Sequence, residues 1–173
     1  TRYLSSFCSD LGVRRSAPRA RRHLAGVSLC GGEGWDAVAL APSLHRLLDR
    51  AFAAQPWFRP LAAADFARLL QARLVADGAS LQRLAIADGE PVGLLLGHRR
   101  GDWLVVRTLA VRPERRLAGV GALLLEEAHA AAQDAGCRAA IHALMLEGGP
   151  SHALSRHYAR PAARYALMAR RLG

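Results

Sequence analysis

Apolar positions recur along this chain with two different periods, and the change from one to the other marks its elements. Residues 41–54, APSLHRLLDRAFAA, place Leu44, Leu47, Leu48 and Phe52 at helical spacing, with Ser43 as a cap and Gln55-Pro56 as the stop. A second helix is predicted from about residue 62 to 76, with Phe66, Leu69, Leu70 and Leu74 inward. The period then falls to two. Leu81 to Ala87 reads as a strand with Leu84 and Ile86 on one face, Asp88-Gly89 as a hairpin turn, and Pro91 to His98 as the next strand. Residues 99–102 turn the chain into Trp103 to Val111, an apolar and β-branched run broken only by Arg107 and Thr108. That run suits a central strand covered on both faces. Pro113 lacks an N–H, so pairing should stop near Val111.

Helical spacing returns from about Ala118. Val120, Leu123, Leu124, Ala128, Ala131 and Ala132 form one stripe, Glu126, Glu127 and Asp134 lie on or beside the other face, and Gly136 ends the helix. A strand follows from about Arg138 to Leu146. Gly148-Gly149-Pro150 breaks the chain, Ser151 caps a short helix from His152 to Tyr158, and a last strand runs from about Arg164 to Arg170. Three strands, a helix and a further strand predict an α/β chain (α+β in some schemes) with a mixed sheet and helices on its faces. Residues 1–34 read differently. YLSSFCSDLG suits a short helix and GVSLC a short strand. Arg14, Arg15, Arg19, Arg21 and Arg22 form a basic run, and Gly31, Gly32 and Gly34 a flexible joint. The expectation is a poorly ordered basic arm or remnant of an upstream segment over 1–34, and one domain over 35–173. The first residue, Thr1, is not Met, which fits a trimmed chain or a piece of a longer protein.

With 173 residues, 51% of them hydrophobic, the chain has enough apolar material for a core. No apolar run approaches the roughly 18 residues of a membrane span, and the start lacks the apolar core of a secretory signal. The net charge of +10 raises nucleic acid as a partner. A chain with no lysine or asparagine and many Ala and Arg points instead to GC-rich codons, and zinc-finger and RNA-recognition motifs are absent; nucleic acid is not the expected partner. Cys8, Cys30 and Cys137 are too far apart for a metal pattern and odd in number, so no metal is expected and a reducing cytoplasm is the natural compartment.

The chemistry gathers at residues 116–121. Arg116-Leu117-Ala118-Gly119-Val120-Gly121 has the form R-x-x-G-x-G between a strand and a helix. The first helical turn has unpaired N–H groups and the positive dipole end, and alternate glycines admit a ligand to that backbone. This describes a phosphate cradle, with Arg115 and Arg116 adding charge. Neither G-K-[ST] nor G-x-G-x-x-G fits.

At these residues the sequence resembles the coenzyme A binding motif of the GNAT superfamily of acyltransferases. There an apolar triplet, here Leu109-Ala110-Val111, leads to R-x-x-G-x-G and a helix. The resemblance implies the GNAT fold, a central mixed and largely antiparallel sheet with helices on both faces. It implies that the strand Arg138–Leu146 lies beside Trp103–Val111, that the two splay apart, and that the thioester end of acyl-coenzyme A enters the gap. Arg116, Leu117, Ala118, Gly119, Val120, Gly121 and Ala122 would hold the coenzyme, and Leu109, Ala110 and Val111 would pair with its arm and supply a carbonyl donor. The two helices before the strands would form the acceptor wall, where Trp57 and Phe58 are candidate pocket residues. Tyr158 would protonate the leaving thiolate, with Tyr165 as second choice. Gly149 stands near the place where many members carry an asparagine, and Arg107 and Thr108 stand where some carry a glutamate base. His98 and His142 have the right unperturbed pKa for that base, Glu147 and water are alternatives, and Arg107 suits an acidic acceptor. The expected function is an N-acetyltransferase moving acetyl from acetyl-CoA to a small-molecule amine or protein amino group, with no metal, no membrane, and a monomer or homodimer as the working unit. A non-catalytic acyl-CoA-binding module and an acyl-transfer part of a larger biosynthetic protein stand as alternatives.

Overall fold

The computed structural model describes residues 1–13, 24, 26–56, 58–76, 81–114 and 117–168. In chain order they form strands β1 (Arg2–Cys8) and β2 (Val27–Gly31) and helices α1 (Ala37–Phe52) and α2 (Ala63–Ala76). Strands β3 (Arg83–Ala87), β4 (Glu90–Arg100) and β5 (Trp103–Val111) come next. They are followed by α3 (Val120–Asp134), β6 (Ala139–Leu146), α4 (Pro150–Ser155) and β7 (Arg160–Ala166). The seven strands make one sheet in the order β2-β3-β4-β5-β6-β1-β7. All neighbours are antiparallel except β5 and β6, so the sheet is mixed and mostly antiparallel, as expected.

Strand periodicity divides the core between two faces. Leu84 and Leu94 pack with Leu44 and Leu47 of α1 and Phe66 and Leu70 of α2. Their neighbours Ala85 and Leu95 point the other way and pack with Leu104, Val106, Val120, Leu124 and Ala128 around α3. Both faces are covered, which is why these strands read as nearly unbroken apolar runs. Enclosing each such leucine contributes about 1.5–3 kcal/mol. α3 stops where expected: Gly136 has φ 81°, its N–H donates to Gln133, and Cys137 N–H reaches back to the carbonyl of Ala132.

Several sequence expectations are corrected. YLSSFC is not helical and not an arm: it is β1, inserted between β6 and β7, with Leu4, Ser5, Ser6 and Cys8 buried. A short apolar run does not distinguish a buried strand from a helix. β2 likewise belongs to the sheet, so the expected division at residue 34 cuts through one unit. The basic run at 14–22 lies outside the described residues. α1 begins earlier, at an Asp36 cap that accepts the N–H groups of Val38 and Ala39 at 2.9 and 3.0 Å, whereas Ser43 lies inside the helix and accepts from Arg46. α4 is capped by Gly149 rather than Ser151. β7 lies at 160–166 rather than 164–170; as an outer strand it tolerates Pro161. Glu126, read as a solvent face, is fully buried.

A buried glutamine repairs an irregularity next to the central strand. The ladder of β4 and β5 shifts between Leu96 and Gly97, and Arg107 is the extra residue on β5. Gln82 fills the place of a neighbouring strand there. Its Nε2 donates to the carbonyl of Gly97 at 2.7 Å, and its Oε1 accepts the Gly97 N–H at 3.0 Å. Leucine at this position would leave a buried donor and acceptor unpaired. We expect Gln82→Leu to lower stability by about 2 kcal/mol or more, read as a lower urea midpoint with an unchanged slope.

Candidate active site

β5 and β6 run parallel and pair at four positions, Trp103 with Ala139 through Val106 with His142. Immediately past that last pair both strands carry an extra residue. On β5 it is Arg107; on β6 the register against β1 slips at 143–144, where Leu144 has φ 49° and donates its N–H to Ser5 Oγ. The strands bend apart here. No strand among the described residues pairs with the β6-facing edge of β5 beyond Val106.

The gap holds a narrow cavity of about 80 Å³ between Arg107 and Leu109 on one side and residues 142–146 on the other. α4, Phe52 at the end of α1 and Gln55 just beyond it close its flanks. It opens into a larger groove of about 480 Å³ that follows Leu109 and Val111 to the start of α3. Gly119 caps α3 with φ 98°, a left-handed conformation suited to glycine, and makes no side-chain cap bond. A Cβ on Gly121 would stand 3.4 Å from Leu154 and 3.6 Å from Val111, across the groove floor. Leu117, Ala118, Gly119, Gly121 and Ala122 all line this groove; Val120 instead turns into the core. The shape therefore fits an anionic group at the helix start and a thin arm in the gap. Arg112 and Glu114 form an ion pair at 2.8 Å beside it. Arg115, Arg116 and Trp57 lie outside the described residues. Phe58 stacks obliquely on Phe52 at 5.7 Å and lines neither cavity.

The expected acid and bases are not gathered at the gap. Tyr158 is buried, and its hydroxyl donates to Glu126 of α3 at 2.9 Å; it lines neither the gap nor the groove. Tyr165 sits exposed on the outer strand. His98 pairs opposite Val105, on the joined side of the fork. Glu147 approaches Arg164 at 3.7 Å. His142 does line the gap, but both its nitrogens are engaged. Nδ1 lies 2.7 Å from Ser155 Oγ and Nε2 lies 3.1 Å from His129 Nε2. Burial, then the neighbouring His129, lower its pKa to about 3, far below the range of an effective base at neutral pH. The sequence pattern did not single out His129 or Ser155. Both sit at helix positions where apolar residues are usual, and their polarity was the available signal.

The chain matches the model of the Acetyltransferase (GNAT) family over residues 42–158. Among curated proteins none matches by sequence. Among solved structures it is similar to a GCN5-related N-acetyltransferase from Sphaerobacter thermophilus, with TM-score 0.68 and 16% identity over 95% of this chain and 49% of that one. It is also similar to a GCN5-related glucosamine N-acetyltransferase region of a fungal multi-domain β-N-acetylglucosaminidase (TM-score 0.64, 11% identity, 95% of this chain and 20% of that one). A third is a GNAT family acetyltransferase from Brucella melitensis, solved with acetyl-CoA (TM-score 0.52, 18% identity, 66% and 73%). At these identities the likeness is one of fold. The chain spans about half the length of the Sphaerobacter protein. No described helix is long and apolar enough to cross a membrane, and the described residues hold no cluster suited to a metal.

The depressed pKa of His142 has a consequence for acid stability. The unfolded chain takes up this proton near pH 6.5, while the folded chain refuses it until about pH 3. Stability is therefore lost as pH falls through that window, with a slope of about 1.4 kcal/mol per pH unit for one proton. His142→Gln should flatten stability against pH between about 6 and 4 by close to one proton, measured by denaturant titrations at each pH.

Proposed function

The chain belongs to the GNAT family of acetyltransferases, and on that premise we propose that it moves acetyl from acetyl-CoA to an amine by direct attack. The fork between β5 and β6 is the observation that carries this proposal. It joins a thin gap, whose β5 edge pairs with no strand among the described residues, to a groove ending at a glycine-capped helix start. A diphosphate fits the first turn of α3, where the N–H groups and the dipole favour negative charge. A pantetheine arm can then pair with the open edge of β5 as an added strand would. The acyl group reaches the fork, where the N–H groups of Leu109 and Val111, on the edge of β5 away from β4, can donate to the charge that develops on its carbonyl oxygen.

An amine entering from the side of Phe52 and Gln55 attacks that carbon; the C–N bond forms, the C–S bond breaks, and the sulfur leaves as thiolate. Holding both substrates in one gap supplies much of the rate. His142 is too weak a base to take the amine proton at neutral pH, so water accepts it. The acceptor is a small-molecule amine or a protein amino group, and Arg107 on the gap wall suits one that carries an acidic group. A second proposal, a module that holds acyl-CoA without efficient transfer, draws on the commitment of the Tyr158 hydroxyl to Glu126.

Thiol release from acetyl-CoA that depends on an added amine would support transfer; tight binding with no release across an amine panel would favour the holding module. Gly121→Val should weaken coenzyme A binding about tenfold or more by calorimetry, because its side chain would occupy the groove. Equal binding by parent and variant would remove the helix start from the site.

A further inference from the structure

A chain of three buried polar side chains ends at the fork. His129 on α3, His142 on β6 and Ser155 on α4 are exposed by 0%, 3% and 2%. Their contacts run from His129 Nε2 to His142 Nε2 at 3.1 Å and from His142 Nδ1 to Ser155 Oγ at 2.7 Å, with the two ring centroids 5.3 Å apart and their planes inclined by 23°. His142 and Ser155 both line the gap, and His142 is the last residue paired before the strands part. The described gap lining includes one other hydroxyl, Ser151, at the mouth shared with the groove.

Two facing Nε2 atoms in hydrogen-bond contact share one proton when both rings are neutral. This permits two arrangements. If His129 donates, His142 accepts at Nε2 and carries its own proton on Nδ1. It then donates to Ser155 Oγ, and the serine proton is free to point into the gap. If His142 donates at Nε2, its Nδ1 accepts the serine proton, and an oxygen lone pair faces the gap. A negative sulfur selects the first arrangement, because only that one offers it a donor. Burial holds His142 itself neutral, so one of its two nitrogens is always free to accept.

We propose that Ser155 is the hydrogen-bond donor to the sulfur of the departing coenzyme A thiolate, with His142 and His129 as positioning residues that aim its hydroxyl into the gap. This rests on the acyl-transfer function above. It gives α4 a group for the sulfur while the Tyr158 hydroxyl is held by Glu126. The interaction is a hydrogen bond to the thiolate; the thiolate is protonated by solvent after release, so no net proton passes along the chain of residues.

The test follows the thiol of bound coenzyme A by its ultraviolet thiolate absorbance against pH, together with steady-state kinetics. A donor at the sulfur lowers the bound thiol pKa. Ser155→Ala should raise it and reduce kcat about tenfold to a hundredfold, with KM for acetyl-CoA within about twofold. His142→Phe, which leaves the serine hydroxyl without its anchor, should shift the thiol pKa in the same direction, and His142→Gln, which keeps a donor, should restore part of it. If the parent binds coenzyme A and transfers acetyl but Ser155→Ala changes neither thiol pKa nor kcat, the assignment is wrong and the acyl-transfer function stands. If the parent binds no coenzyme A, both fall. Calorimetric binding by Ser155→Ala guards against loss of fold, and that variant decides the matter even if His142→Phe does not fold.

Discussion

Two neighbouring strands stay bonded only while their residues advance in step, and here both lose step at the same level. Arg107 on β5 and the 143–144 pair on β6 are each one residue too many for the partner on their outer side. The excess has to be accommodated where β5 and β6 face one another, and the ladder between them ends at Val106 and His142. The gap, the groove that continues it and the helix start at its end all follow from this paired irregularity. Its outer partners hold it in place: Gln82 satisfies the backbone of Gly97 behind one bulge, and Ser5 receives the N–H of Leu144 behind the other.

The buried polar groups on the α3 face fit the same picture. Glu126 with Tyr158, and His129 with His142 and Ser155, link α3 to the segment that follows β6. Each is costly to bury alone and tolerable when paired. Together they fix the register between α3 and α4, on whose approach the width of the gap depends. A purely apolar contact there would allow more sliding, since apolar contacts have little directionality.

Much of this was legible beforehand. The strand-to-helix unit around residues 103–136 carried a continuous apolar run, a proline stop, a glycine-rich turn and a period change, all local signals, and its strand Trp103–Val111 and helix Val120–Asp134 form as read. Gly119 and Gly121 fall at the start of α3 for the same reason. What could not be read depended on distant contacts. YLSSFC became a strand because β6 and β7 offer it two open edges, which nothing within six residues can announce. Glu126 looked like surface because its helix has a polar face by composition; Tyr158, far along the chain, covers it. That same contact takes the tyrosine away from the gap, so one hidden pairing displaced both a structural and a chemical expectation.

The place of β1 also bears on how the molecule is made. Its two partners, β6 and β7, come after every other described strand, so β1 has nothing to pair with until they have emerged. Sheet closure must therefore await a contact of very large sequence separation, whose loop entropy is met late and whose formation is slow. Until then the β1-facing edge of β6, the strand that forms one wall of the gap, is uncovered. Ligand affinity should thus mature last in folding, after the hairpins of β3, β4 and β5 have already formed.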